Sequence, residues 1–219
     1  MRILRVSPRR KRINVLFLSE PLEIDGEFSD DGGLIIDRDT YDLSGFCEGD
    51  SVTLDEVGRL IADSRKARAY SRALWLLDSR DYSAKAMLDK LRPLYGETAA
   101  RSAVDSLCEA GIIDDVRYAT RAAEFMLESG RSERDIASRL ALKGVPYAVA
   151  RDAVAAVAAE QGCNPVEQIK ALIDKKYAAK LLSGDKTERQ KVMAAIARKG
   201  FDFDDIRSAV SGYCDEFDD

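Results

Sequence analysis

Two pairs of adjacent carboxylates, Asp114-Asp115 and Asp204-Asp205, come nearest to a spacing that would suit acid–base catalysis. Such catalysis needs two carboxyl groups whose surroundings push their pKa values apart. Both pairs stand at or near the start of a predicted helix, where negative side chains interact favourably with the helix dipole. We therefore interpret them as helix-start residues and not as an acid and a base.

The other common catalytic groups are missing from the sequence. The chain has no histidine, so the commonest general base and metal ligand is absent. No serine stands in a G-x-S-x-G motif, and Gly32-Gly33 lacks the G-x-x-x-x-G-K-[ST] pattern of a phosphate-binding loop. We predict that the protein is not an enzyme and uses no cofactor.

The four cysteines do not form a metal-binding or disulfide pattern. They are widely spaced and include no CxxC pair: Cys47, Cys108, Cys163 and Cys214. We interpret them as reduced, packed thiols of a cytoplasmic protein. The apolar run Val15–Leu18 is too short for a signal peptide or a membrane span.

The basic residues are the remaining candidates for contact with a partner. Arg9-Arg10-Lys11-Arg12 falls between two predicted strands and would place four positive charges at a hairpin tip. Our candidate partner-binding residues belong to the middle helical repeat described below: Arg117, Arg121, Arg131, Arg134, Arg139 and Lys143. The alternative is a solvated face paired with local Asp and Glu. As a set, these residues would suit an acidic protein surface or a nucleic-acid backbone.

The overall charge argues against a mainly electrostatic grip on nucleic acid. The formal net charge is -5 and the pI is about 5.1. The first 60 residues hold 8 Lys and Arg against 13 Asp and Glu, so the acidity lies in the N-terminal part. The pattern shows no exposed row of aromatics alternating with cations, as stacking on bases would need. We assign most aromatics, including Tyr118 and Phe125, to core packing.

The first 50 residues differ from the rest of the chain. Short β-leaning runs, separated by turns with proline or glycine, predict a small antiparallel meander or hairpin. These runs are Ile3–Val6, Ile13–Leu18, Leu22–Ile24 and Leu34–Ile36. A helix is then predicted over 51–63, where Thr53 and Glu56 form a capping box.

Beyond Ser64 the sequence is helical and repetitive. The spacing Ser132-x3-Ile136-x3-Leu140-x3-Gly144 recurs at Glu188-x3-Val192-x3-Ile196-x3-Gly200. A looser copy is Ser83-x3-Met87-x3-Leu91, followed by Gly96. Each copy has one helix before it and one after it, which makes a three-helix unit. Predicted N-caps are Ser83, Ser132 and Asp185 or Thr187, and the three glycines are expected to end helices in the left-handed conformation.

We therefore predict a mainly α fold. Three tandem three-helix repeats would form an elongated curved body, preceded by a small β-rich N-terminal extension. The predicted boundaries are 1–50 for the extension, 51–63 for a connecting helix, and 64–113, 114–162 and 163–219 for the three repeats.

Several segments of the helical part resemble the bacterial RecX family of regulatory proteins. They are SRALWLL at 71–77, SAKAMLDKL at 83–91, GIIDDVRYA at 111–119, SERDIASRL at 132–140 and KGVP at 143–146. The N-terminal part also resembles a strand-rich extension that some members carry. Two features depart from the family pattern: Arg92-Pro93, which is expected to kink or end a helix, and the lean basic content.

The resemblance implies a non-enzymatic regulator that binds the RecA nucleoprotein filament and restrains its ATPase and strand exchange in recombination and DNA repair. It implies a monomer whose repeats lie in the filament groove, with DNA contacted indirectly or weakly and no membrane contact. The alternative hypothesis is a helical protein that binds nucleic acid directly. A third is a helical scaffold for another protein.

Overall fold

The computed structural model describes residues 1–10, 12–22, 28–30, 32–182 and 185–215. The chain divides into two compact units, Met1–Ile113 and Asp114–Asp219. Within the described residues, the first unit combines a small sheet with three helices, and the regular elements of the second are all helices. The predicted mainly α fold with a small N-terminal sheet is therefore confirmed. No described helix combines the length and the apolar character that crossing a membrane requires.

The sheet has three antiparallel strands in the order β1-β2-β3: β1 Ile3–Arg10, β2 Ile13–Leu18 and β3 Leu34–Asp37. Val6 pairs with Leu16, and Val15 pairs with Ile35. The predicted meander is confirmed, but β1 continues past Val6 and takes Arg9 and Arg10 into the strand. Most of the predicted run Leu22–Ile24 lies outside the described residues, as does Lys11.

The sheet packs against helices α1 (Arg38–Ser44) and α2 (Leu54–Leu77). The hydrophobic core of this region joins all three strands to the first half of α2: Ile3, Leu16, Leu34, Ile36, Tyr41, Val52, Val57, Leu60 and Ile61. One buried hydrogen bond fixes the same contact, since the Asp37 N–H donates to the Ser64 hydroxyl at 2.8 Å. Asp37 also caps α1 by accepting from the Thr40 N–H at 3.0 Å.

Helix α2 begins with the predicted capping box, in which the Glu56 N–H donates to the Thr53 hydroxyl and the Thr53 N–H donates to the Glu56 carboxylate. The helix predicted over 51–63 does not stop there. It runs on without a break to Leu77 and includes Tyr70 and Leu74. The sequence carries no stop signal near Asp63, because no glycine or proline follows that residue before Pro93.

Helix α3 (Ala84–Glu109) contains the second and third helices of the first predicted repeat. Ser83 caps its start, and the backbone leaves helical geometry at Gly96, where φ is 78°. Pro93 lies inside the helix, three residues before that break. The break predicted at Gly96 is therefore confirmed, although its ψ of 165° lies outside the left-handed helical region, and the break predicted at Pro93 is not observed at that residue.

The second unit contains seven helices within its described residues. They are α4 Asp115–Glu128, α5 Glu133–Leu142, α6 Tyr147–Glu160, α7 Pro165–Lys176, α8 Ala178–Leu181, α9 Lys186–Ala197 and α10 Phe203–Asp215. One hydrophobic core joins α4 to α6, and another joins α7 to α10. The repeated apolar positions are buried in both: Ile136, Leu140, Val154 and Val157 in one, and Val192, Ile196, Val210 and Tyr213 in the other.

The two copies differ at their helix starts. Ser132 caps α5, but its counterpart by spacing, Glu188, lies in the first turn of α9, and Asp185 is the cap there. Gly144 and Gly200 have φ values of 94° and 87°, as predicted for glycines that end helices.

Two predictions from the sequence are wrong: that Phe125 packs in the core, and that all the cysteines are packed. Phe125 is 73% exposed, because Ala119, Ala123 and Leu127 form the buried row of α4 in its place. Cys47 and Cys108 are exposed, whereas Cys163 is partly buried. Phe217 and the side chain of Cys214 lie outside the described part of the chain.

Candidate interaction surfaces

Helix α4 carries two of the predicted partner-binding residues. Its start is fixed by Asp114, whose carboxylate accepts from the Val116 N–H at 2.9 Å and from the Arg117 N–H at 3.0 Å. This bond geometry confirms the interpretation of Asp114 as a helix-start residue. Asp204 likewise lies in the first turn of α10.

Arg117, Arg121 and Phe125 follow one another at intervals of four residues on α4, and all three are exposed. Side chains four residues apart on a helix lie about 5–6 Å from each other at Cβ, so the three form a single row. We call this set the α4 row. It combines two cations with a large exposed aromatic ring, a composition favoured at the energetic centres of protein interfaces.

Arg131 and Arg139 are engaged by a carboxylate of their own helix region. The Asp135 carboxylate lies 2.9 Å from Arg131 Nη1 and 2.8 Å from Arg139 Nε. Burial raises the pKa of Asp135, but the hydrogen bonds and charges of Arg139 and Arg131 outweigh this effect and leave the pKa below its ordinary value. The sequence left open the alternative that the basic residues pair with local carboxylates. That pairing is observed for Arg131 and Arg139.

The remaining predicted residues lie on α5 and at its end. Arg134 is exposed in the first turn of α5, and Lys143 is the exposed C-cap residue. Of the six predicted residues, the structure thus brings Arg117 and Arg121 together on one helix row and gathers Arg131 and Arg139 around Asp135.

The start of α5 also contacts the α9–α10 turn within the second unit. The Ser132 hydroxyl donates to the Lys199 carbonyl at 2.8 Å and accepts from the Asp135 N–H at 3.2 Å. A Cβ atom at Gly200 would lie 2.5 Å from the Ser132 Oγ and 3.2 Å from the Asp135 N. Glycine is therefore needed at position 200 for close approach as well as for its positive φ.

The first unit contains a cavity of about 610 Å³ between the β-sheet and helices α2 and α3. Among its lining residues are three aromatic residues, Phe28, Trp75 and Tyr95, and four arginines, Arg9, Arg12, Arg68 and Arg72. We call this site the arginine–aromatic cavity. Asp30 and Asp37 line it as well, so the cations outnumber the carboxylates. No pattern in the sequence predicted this site as a whole.

Cation–π contacts organise the cavity. The guanidinium carbon of Arg72 lies 4.2 Å from the ring centroid of Trp75, and that of Arg68 lies 5.7 Å from the ring centroid of Tyr95. Trp75, the one tryptophan of the chain, is 62% exposed. Arg12 also pairs with Asp39 at 3.0 Å.

The interpretation that aromatics and cations do not alternate on a surface is wrong for this cavity. Arg68, Arg72 and Trp75 stand at positions i, i+4 and i+7 of α2, a spacing that places them on one helix face. That spacing was the sequence signal that could have predicted the α2 side of the cavity. Arg9 and Arg12 come from the basic run that the sequence places at the β1–β2 hairpin tip, but no local pattern indicates that this run and Tyr95 meet α2.

Within the described residues, no group of three or more Cys, Asp and Glu side chains is arranged to hold a metal ion. The three described cysteines are free thiols.

Comparison with known proteins gives consistent matches. A family model described as the third three-helix domain of RecX matches residues 165–210. A regulatory protein RecX from Stenotrophomonas maltophilia is 32% identical over 147 residues, which cover 66% of this chain and 86% of that protein. A regulatory protein RecX from Chromohalobacter salexigens is 27% identical over 149 residues, covering 68% and 94%.

Two crystal structures share the fold. A regulatory protein RecX superposes with a TM-score of 0.69 over 95% of this chain and 98% of that one, at 18% identity. RecX from Lactobacillus salivarius superposes with a TM-score of 0.60 over 68% of this chain and 96% of that one, at 24% identity.

Proposed function

Because the chain belongs to the RecX family of regulatory proteins, we propose that it binds the RecA nucleoprotein filament and restrains ATP hydrolysis and strand exchange. It does so as a monomer in the cytoplasm and without catalysis of its own. The division of its helical part into repeats at 64–113, 114–162 and 163–219 belongs to this proposal.

The observation that carries the proposal is the α4 row. Arg117 and Arg121 present two cations beside Phe125, an exposed ring that the core of the second unit does not use. Exposed aromatic and arginine side chains contribute strongly to protein interfaces once a partner removes them from water. The surface of a filament subunit that would match this row is acidic and apolar.

Arg131 and Arg139 have a secondary part in this proposal. Their guanidinium groups already share the Asp135 carboxylate, so a partner would gain less from each of them. We therefore assign a larger share of the binding free energy to Phe125, whose ring the core does not use, than to Arg131 and Arg139. Arg117, Arg121, Arg134 and Lys143 belong to the same proposed contact.

Co-sedimentation with RecA filaments on single-stranded DNA tests the proposal. The double change Arg117→Glu and Arg121→Glu should weaken binding at least about tenfold, and Phe125→Ala should weaken it by a similar factor. The matched control is Arg151→Glu, an exposed arginine of α6 that pairs with Asp152 and lies outside the α4 row. Bare DNA without RecA is sedimented in parallel.

The proposal fails if the wild-type chain does not sediment with filaments above the level seen with bare DNA. The assignment of the α4 row fails if Arg151→Glu weakens binding as much as the double change does. Urea unfolding of each variant establishes that it is folded, since exposed substitutions of this kind change stability by only about 0.5 kcal/mol.

A further inference from the structure

The arginine–aromatic cavity combines two kinds of group that one class of ligand uses together. Arginine side chains bind phosphate oxygens, and exposed aromatic rings stack on nucleobases. A ligand that needed only positive charge, such as an acidic peptide, would not require Trp75 and Tyr95 at the same place. We propose that this cavity binds single-stranded nucleic acid, with one base stacked on Trp75 and neighbouring phosphates held by the arginines.

Exposure of Trp75 is the first supporting observation. An indole that is 62% exposed forgoes much of the free energy that its burial would provide. The adjacent face of the same helix is used differently, since Ala69 and Ala73 are fully buried in the core of the first unit. The ring therefore lies on the cavity side of α2 and not in the core.

The charge of the cavity is the second observation. Its lining holds four arginines and two aspartates, in a protein whose net charge is -5, and with Asp39, which pairs with Arg12, the four cations still exceed three carboxylates. Asp37 is buried, and its carboxylate accepts from the N–H and the hydroxyl of Thr40, which holds it at the start of α1. A local excess of cations in an acidic chain attracts a polyanion to this place rather than to the whole surface.

The size and support of the cavity are the third observation. A volume of about 610 Å³ falls within the range of about 300–1,000 Å³ that is usual for small-ligand sites, which is room for a nucleotide. The wall is held by the buried contact of Asp37 with Ser64, by the sheet ladder and by the packing of α2 on α3. The cavity is therefore formed before any ligand arrives, which lowers the cost of binding.

Arg72 has a specific place in the site. Its guanidinium group lies 4.2 Å from the Trp75 centroid and so is oriented by the ring that stacks on the base. We assign the neighbouring phosphates to Arg72 and to Arg9 or Arg68, which line the same cavity. The expected sequence preference is weak, because every base has a face that can stack.

Trp75 also supplies the measurement. Because it is the one tryptophan in the chain, its fluorescence reports on this cavity alone. We expect quenching on titration with an oligothymidine of about 15 nucleotides, together with a rise in anisotropy of a labelled copy of the same oligonucleotide. No RecA is present, so failure of this test leaves the proposed function standing, and failure of filament binding leaves this proposal standing.

Substitutions separate stacking from charge. Trp75→Ala should weaken oligonucleotide binding about 5- to 150-fold, and Trp75→Phe should restore part of that affinity. Arg72→Ala should reduce the slope of log affinity against log salt by about 0.7 for each phosphate that the protein no longer neutralises. The matched controls are Phe203→Ala and Arg207→Ala, an exposed aromatic and its arginine at 5.3 Å in the second unit, and these should leave affinity and slope unchanged.

Three results would overturn the proposal. The first is unchanged Trp75 fluorescence and anisotropy up to about 1 mM protein, a concentration above most non-specific dissociation constants. The second is an equal decrease of binding in Phe203→Ala and Trp75→Ala. The third is quenching by a glutamate-rich peptide without any by the oligonucleotide, which would assign the cavity to an acidic protein segment.

Discussion

The Ser132 hydroxyl donates to the Lys199 carbonyl at 2.8 Å, a contact between residues 67 positions apart. The same oxygen accepts from the Asp135 N–H and thereby caps α5. One side chain thus fixes the start of a helix in the α4–α6 core and holds the turn that precedes α10. The α5 start and the turn at Gly200 are positioned by each other.

Replacement of Ser132 by alanine should therefore cost more than the loss of a helix cap. We expect a fall of about 2 kcal/mol in the free energy of unfolding, about 1 from the cap and about 1 from the unpaired Lys199 carbonyl. Asn164→Ala removes a cap alone in the same unit, where Asn164 accepts from the Val166 N–H, and should cost about 1 kcal/mol. If urea unfolding gave the same loss of unfolding free energy for both variants, the contact with Lys199 would add nothing to stability.

Gly200→Ala tests the close approach at the same turn. Positive φ costs an alanine about 1–2 kcal/mol, and the overlap of its Cβ with Ser132 and Asp135 should add about 1–3 kcal/mol. The control is Gly162→Ala, where φ is +62° and no atom lies within 4 Å of the added Cβ, so only the first cost applies. A Gly200→Ala variant as stable as Gly162→Ala would contradict the described packing.

The ion pairs of Asp135 predict a pH dependence. Since the pKa of Asp135 lies lower in the folded protein than in the unfolded chain, its contribution to stability is complete above the ordinary value of 3.8 and is lost as pH falls through the lower folded value. Asp135→Asn should cost about 1 kcal/mol at neutral pH. The difference in the free energy of unfolding between this variant and the wild type, measured by urea unfolding, should shrink as the pH is lowered from about 5 to about 2. A constant difference would show that the carboxylate charge is not the cause.

Ser64→Ala tests what holds the sheet on α2. The change leaves the buried Asp37 N–H without its acceptor and should lower the free energy of unfolding by about 1–3 kcal/mol. Ser71→Ala, at a half-buried position of the same helix, should cost less than about 0.5 kcal/mol. Since the contact supports the arginine–aromatic cavity, Ser64→Ala should also shift the emission of Trp75, whereas an unshifted spectrum would show that the cavity does not depend on it.

Local signals predicted much of this fold. The capping residues Thr53, Ser83 and Ser132 and the helix-ending glycines at 96, 144 and 200 were identified because their physical roles depend on neighbours within a few residues. Equal spacing of apolar residues likewise predicted which positions of α5 and α9 are buried.

The errors have a common physical origin. Phe125 fits a helical period as well as Leu127 does, and only the three-dimensional packing of α4 on α6 decides which of them is buried. The arginine–aromatic cavity was missed because Arg9 and Arg12 reach it from the β1–β2 hairpin and Tyr95 from another helix, so most of its residues are distant in sequence. The pairing of Arg131 and Arg139 with Asp135 was open in the sequence, because i,i+4 spacing permits an ion pair without requiring one.

The most direct test of the central claim is titration of the wild-type chain into RecA, single-stranded DNA and ATP, with hydrolysis and strand exchange followed together. The proposed function predicts that both fall progressively before the chain reaches one copy per RecA subunit, and that Arg117→Glu with Arg121→Glu shifts the fall to higher concentration. Hydrolysis and strand exchange that stay unchanged up to stoichiometric amounts would contradict it.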